Sequence, residues 1–178
     1  MGREPRAGRA PPLDPAGLER LALRYCERYA TTRARLAFYL ARKLRERGWA
    51  DDSPPPVEAI VARMAALNYV DDRAFAAMRG AALTRRGLGE RRVAGDLRAA
   101  GITEDDSVEA RGAARENAFA AALRYAERRR IGPFAAAPAD RPGREKHLAA
   151  LLRAGHPLDL ARRLAFAAPG EAVEPFDT

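Results

Sequence analysis

Three times in this chain a pair of residues four apart stands eight and four positions ahead of a glycine: Leu40, Leu44 and Gly48; Val93, Leu97 and Gly101; His147, Leu151 and Gly155. The glycines are separated by 53 and then 54 positions. A spacing of four puts side chains on one face of a helix, and glycine tolerates the left-handed backbone that commonly ends one. Each glycine precedes a short connection and another helical stretch. The recurrence predicts an all-α fold of three tandem three-helix, helix-turn-helix-like repeats forming an elongated curved array. The expected boundaries are 1–13 for a disordered basic tail, 14–68, 69–113 and 114–168 for the repeats, and 169–178 for a second tail.

Local signals fill in this frame. Asp14 ahead of Pro15 opens a first helix, with Leu18, Leu21, Ala22 and Tyr25 as its buried stripe and an end near Tyr29. Thr31 or Thr32 caps a second, which turns Leu36, Leu40 and Leu44 inward. Ser53 and three prolines open a third, whose apolar positions are Val57, Ile60, Val61, Met64 and Leu67. Trp49 is expected to plug the junction between the second and third helices. Asp71 or Asp72 caps the next helix, with Phe75, Met78 and Ala82 on one side, and the glycines at 87 and 89 break it before Val93 and Leu97. Thr103 to Asp106 has capping-box spacing, with Asp in place of Glu or Gln. Helical sequence runs on to about Arg130, with a break near Gly112. Ile131 to Gly143 is expected to be a loop, followed by helices over Arg144 to Ala154 and Pro157 to Ala167.

Hydrophobic residues make up 47% of the chain, but aromatics only 7%, and much of the remainder is alanine, which buries little area. The core should therefore be thin and divided. A formal charge of +8 suits a polyanion or a partner that carries one. One cysteine, Cys26, excludes an intramolecular disulfide and a cysteine-rich zinc site, and its helical, apolar setting marks it as a small core residue. His147 and His156 are not at helical metal-ligand spacing, so no metal or cofactor is expected. Asp71 and Asp72 precede an apolar helical pattern and are better explained as a cap than as an acid–base pair. Ser53 and Ser107 belong to no nucleophile motif. The glycines near Arg86 lack the Lys-Ser/Thr of a phosphate loop, and no strand precedes them. No enzyme is expected. No apolar run approaches bilayer-spanning length and no signal-peptide core is present, so the expectation is a cytoplasmic monomer without a membrane partner.

Laid out at 100° per residue, the second helix places Arg35, Phe38, Arg42 and Arg45 opposite Leu36, Leu40 and Leu44. A phenylalanine among arginines is an apolar anchor inside a basic patch, unless another helix covers it. Arg91 and Arg98 flank the buried face of the middle repeat's second helix and suit phosphate or acidic side chains. Three functions fit these features: a regulator of a protein–DNA filament, a helix-turn-helix transcription regulator binding duplex DNA, and a protein-binding adaptor. The second helices begin without the polar base-reading residues a transcription regulator needs, Glu90-Arg91-Arg92 being the nearest approach.

The stretch from Tyr69 to Ala76 (YVDDRAFA), continued through Arg85, Gly87, Val93, Asp96, Leu97, Gly101 and Ile102, resembles the middle repeat of the RecX family. Tyr69, Asp71, Asp72, Phe75 and Gly101 are its structural motif. Tyr25 to Gly48 looks like the first repeat of alphaproteobacterial members, and the likeness extends from about Leu18 to Phe166. Tyr39 stands where many relatives have an acidic residue, and His156 where the family often has phenylalanine. The resemblance implies an all-helical, three-repeat protein that binds in the groove of the RecA–DNA filament. It further implies suppression of strand exchange, ATP hydrolysis and the coprotease activity that triggers the SOS response. Weak, non-specific binding to DNA alone is also expected.

Overall fold

A computed structural model describes residues 11–175. Among these it contains nine α-helices: α1 (Pro15–Arg28), α2 (Arg33–Arg47), α3 (Val57–Ala66), α4 (Asp72–Arg85), α5 (Glu90–Ala99), α6 (Glu104–Glu116), α7 (Ala118–Arg129), α8 (Arg141–Arg153) and α9 (Leu158–Phe166), with a 3-10 turn at Gly132–Phe134. The only extended pairing among them is an isolated bridge between Leu13 and Trp49. The all-α class follows directly. The described residues form two compact units, which divide between Phe75 and Ala76.

In the first unit α1, α2 and α3 pack mutually around Leu18, Ala22, Leu36, Leu40, Ile60, Val61 and Met64. Asp14 accepts the Gly17 N–H and Thr32 Oγ1 accepts the Arg35 N–H, so two orphan donors at helix starts are satisfied from one turn away. Trp49 packs against this core, and its indole N–H donates to the Ser53 carbonyl at 2.6 Å. Three expectations need correction. The tail predicted over 1–13 lies outside the described residues as far as position 10, but Leu13 belongs to the core. It is 2% exposed, donates to the Gly48 carbonyl and accepts from the Ala50 N–H, both at 2.9 Å. Tyr25 is only half-buried, because its ring lies in a groove rather than in the core. Leu67, one residue beyond α3, is 55% exposed.

In the second unit α5 packs on α6, α6 on α7, and α7, α8 and α9 on one another. The inward side of α4 here is Ala76, Gly80 and Leu83, whereas Met78 is 56% exposed. The reason is close approach. A Cβ at Gly80 would lie 3.3 Å from Ala110 Cβ and 3.4 Å from Val93 Cγ1, so small residues hold positions where bulky ones were expected. Thr103 caps α6 as its spacing predicts, accepting the Asp106 N–H and donating its hydroxyl to the Asp106 carboxylate. The helix passes through Gly112 and stops at Asn117 instead. α8 starts ahead of the expected Arg144, with Asp140 as cap and Pro142 in the first turn, where a missing N–H costs nothing. Gly48, Gly101 and Gly155, just beyond α2, α5 and α8, all have positive φ: 88°, 78° and 93°.

Candidate functional site

Within the first unit, the face of α2 opposite its core leucines is open. Phe38 is 67% exposed, with Arg35, Arg42 and Arg45 exposed around it, so neither α1 nor α3 covers the ring. Full burial of such a side chain is worth about 1.5–3 kcal/mol, which solvent exposure forfeits in the free protein. The three arginines differ in their ties. The Arg35 guanidinium lies 5.2 Å from the centre of the Phe75 ring, itself 8% exposed, so Arg35 also roofs the start of α4. Arg42 is 3.6 Å from Glu46, one turn on, and 5.8 Å from the Tyr39 ring centre. Lys43 donates to the same Glu46 carboxylate at 2.6 Å, which holds that carboxyl below its usual range. Tyr39 therefore gives this helix an aromatic surface between cations.

In the stretch 69–76 two carboxylates accept backbone N–H groups at helix starts and one ring is buried. Asp71 caps α4 by accepting the Ala74 N–H at 2.9 Å. Asp72 is 4% exposed and accepts the Arg33 N–H at 3.0 Å, thereby capping the start of α2 as well. Tyr69 is 48% exposed, while Phe75 is buried. Farther along, in the second unit, Asp96 receives both Nε and Nη2 of Arg79 at 2.7 and 2.9 Å, a forked pair that ties α4 to α5.

Of the two arginines predicted on α5, Arg98 is 69% exposed at its side chain and pairs with Glu104 at 3.2 Å. The Arg91 side chain is exposed, and its backbone N–H points to the Gly155 carbonyl at 3.4 Å. The start of α5 is covered. Gly89 donates to the Ala154 carbonyl at 2.9 Å, and a Cβ at Gly89 would sit 2.5 Å from the Gly155 carbonyl carbon and 2.8 Å from the His156 nitrogen. Glu90, the first residue of the helix, is held by Arg111 at 2.7 Å, and Arg111 also pairs with Glu104. His156 is fully buried beneath this crossing. Its Nε2 lies 3.1 Å from the Gly87 carbonyl, and burial pushes its pKa below the ordinary 6.5, so the neutral ring donates there.

Sequence reasoning missed a groove of about 480 Å³ between α1 and α2, walled by Tyr25, Tyr29 and Tyr39. Its signal was present in the i, i+4 pair Tyr25 and Tyr29 beside Arg24 and Arg28. No group of three or more metal-ligating side chains occurs among the described residues, and none of their helices is long and apolar enough to cross a membrane.

The fold is all-helical among the described residues, and the exposed α2 face is basic and carries an aromatic ring. The chain is 32% identical over 163 residues to the regulatory protein RecX of Myxococcus xanthus, covering 85% of this chain and 86% of that one. It belongs to the RecX family of regulatory proteins. Its fold is similar to the crystal structure of RecX from Lactobacillus salivarius (TM-score 0.60, 18% identity, 82% of this chain and 90% of that one). It is also similar to that of a second regulatory protein RecX (TM-score 0.59, 23% identity, 84% and 72%). No family model matches the chain.

Proposed function

We propose that this protein binds the RecA recombinase–DNA filament in the cytoplasm and mainly inhibits its recombinase, ATPase and SOS coprotease activities. The contact face is Arg35, Phe38, Arg42 and Arg45 on α2, with Arg91 and Arg98 adding cationic contacts from α5. The helices are taken as three tandem repeats, over residues 14–68, 69–113 and 114–168. One observation carries the reading: in a RecX-family chain, a phenylalanine 67% exposed stands among arginines on a helix whose opposite side is core. An apolar ring left in water inside a cationic patch suits a partner that supplies both negative charge and an apolar surface. A duplex-reading helix-turn-helix needs the start of its second helix free to enter the major groove. The crossing of Gly89 with Gly155 and the Glu90–Arg111 pair argue against that role for α5.

The test is DNA-dependent ATP hydrolysis by the cognate RecA, titrated with wild-type and variant protein. Reversing Arg42 and Arg45 to Glu should raise the amount needed for half-inhibition at least tenfold and weaken its salt dependence. Phe38→Ala should weaken inhibition with the salt dependence retained. Normal inhibition by both variants would remove this face from the contact surface. Selective, tight binding of one duplex sequence by the wild type would favour the transcription regulator instead.

A further inference from the structure

Three of the chain's five tyrosines meet in the groove between α1 and α2. Tyr25 and Tyr39 stack with ring centres 4.1 Å apart and planes 16° from parallel. Tyr29 stands at 5.2 Å from Tyr25, tilted by 51°, and is 49% exposed. Cations border every free ring: Arg28 lies 5.5 Å from the centre of Tyr29, and Lys43 5.9 Å from that of Tyr39. Leu21, Arg24 and Arg42 complete the lining, and Glu46 just outside it pairs with Lys43 at 2.6 Å and with Arg42 at 3.6 Å.

The stacked pair fixes two rings in place, so the groove is organised before any ligand arrives and little side-chain entropy remains to be lost on binding. Tyr29 is different. It is half-exposed just beyond the end of α1, and a base stacking on it would share the ring with the exposed Arg28 side chain or displace it. Arg24 and Arg28, on the α1 side of the groove, supply positive charge to the adjoining phosphates. Each simpler anion leaves part of this arrangement unused. Inorganic phosphate and acidic peptides answer the cations but bring no planar ring, and a duplex keeps its base faces stacked within the helix. A single strand supplies both, since every base has a π-face and every linkage a charge.

We infer that this groove binds single-stranded nucleic acid, with an unstacked base lying on Tyr29 and the flanking phosphates on Arg24 and Arg28. The inference deepens the filament reading, because a filament holds DNA. It is tested without RecA, so the two readings fail separately.

The assay is fluorescence anisotropy of the full-length protein with a labelled deoxythymidine oligonucleotide. Comparison ligands are a duplex of equal length, an abasic strand of equal length, and polyglutamate as competitor, all at one salt concentration. The wild type should bind the single strand at least fivefold more tightly than the abasic strand or the duplex. Base–aromatic stacking of about 1–3 kcal/mol corresponds to roughly fivefold or more, so Tyr29→Ala should lose about that factor. Tyr29→Trp should keep or improve the affinity, because the larger ring also stacks. Both changes are at a half-exposed position, and helical circular dichroism checks that each variant is folded. Arg28→Glu should weaken binding to the single and abasic strands alike. Equal binding of thymidine and abasic strands, an unchanged Tyr29→Ala, or displacement by polyglutamate at equal charge would each overturn the inference and leave a general anion groove. If Arg42→Glu with Arg45→Glu inhibits RecA normally while Tyr29→Ala loses the oligonucleotide, the filament face is wrong and the groove stands.

Discussion

Replacing glycine by alanine at positions 95, 112 and 89 sets helix propensity against backbone crowding. Gly95 lies in α5 and Gly112 in α6, and a Cβ built on either has nothing within 4 Å. Each substitution should stabilise the protein by about 1 kcal/mol, the propensity difference between glycine and alanine in a helix interior. For a chain of this size that is a rise in melting temperature of about 2–4 °C. Gly89 immediately precedes α5, and there the sign reverses. The new methyl would lie 2.5 Å from the Gly155 carbonyl carbon and 2.8 Å from the His156 nitrogen, roughly an ångström inside ordinary contact. Those atoms are backbone and cannot rotate away. Opening the crossing costs about 1–3 kcal/mol for overpacking, and straining the bond from Gly89 to the Ala154 carbonyl adds about 1 kcal/mol or more. Gly89→Ala should thus lose roughly 2–4 kcal/mol. Urea unfolding followed by circular dichroism reads all three, with the midpoint moving at constant slope. A neutral Gly89→Ala would refute the backbone crossing, and a destabilising Gly112→Ala would restore the helix break expected there from sequence.

Further outcomes follow from single contacts. Asp71→Ala removes a helix cap and should cost about 0.5–2 kcal/mol by denaturant unfolding. Asp72→Ala should cost more, because it removes a buried carboxylate from a backbone donor, and hydrogen exchange at the Arg33 amide should accelerate. His156 has a folded pKa below 6.5, so between that value and 6.5 the unfolded chain binds more protons. Its contribution is therefore complete above about pH 6.5 and is lost as pH falls through the window beneath. Unfolding free energy measured from pH 8 to 5.5 should drop on acidification in the wild type and flatten in His156→Phe. Phe38→Ala should change stability by no more than about half a kcal/mol, since the ring is already in water; a larger loss would mean that it is packed.

The sequence carried most of α2 and rather little of α4, for one reason. On α2 the inward positions Leu36 and Leu40 are large and the outward ones mostly charged, so the period is plain. On α4 the inward positions include Ala76 and Gly80, while bulky Met78 faces out, so a search for large side chains finds the wrong side. Gly112 reads as a break but lies inside α6, because an unencumbered helix glycine and a helix-ending glycine are the same letter. Leu13 went unseen because its core position depends on pairing with Trp49, a contact distant in sequence. Arg35, Phe38, Arg42 and Arg45 were legible as one face, since helical geometry alone groups them. Of the tyrosine groove only the Tyr25 and Tyr29 side is legible, because Tyr39 comes from a different helix and meets Tyr25 only through the packing of α1 on α2.

Asp72 has a consequence for how the chain may be divided. Its carboxylate belongs to the first turn of α4, yet it completes the hydrogen bonding of α2, which begins 39 positions earlier. A fragment trimmed in the connection after α3 would keep all three helices of the first bundle and still lack the acceptor for the Arg33 amide. The natural end of that module is therefore not the end of its last helix. It extends at least to the opening turn of the next, so anyone expressing the first bundle alone should end it beyond Phe75.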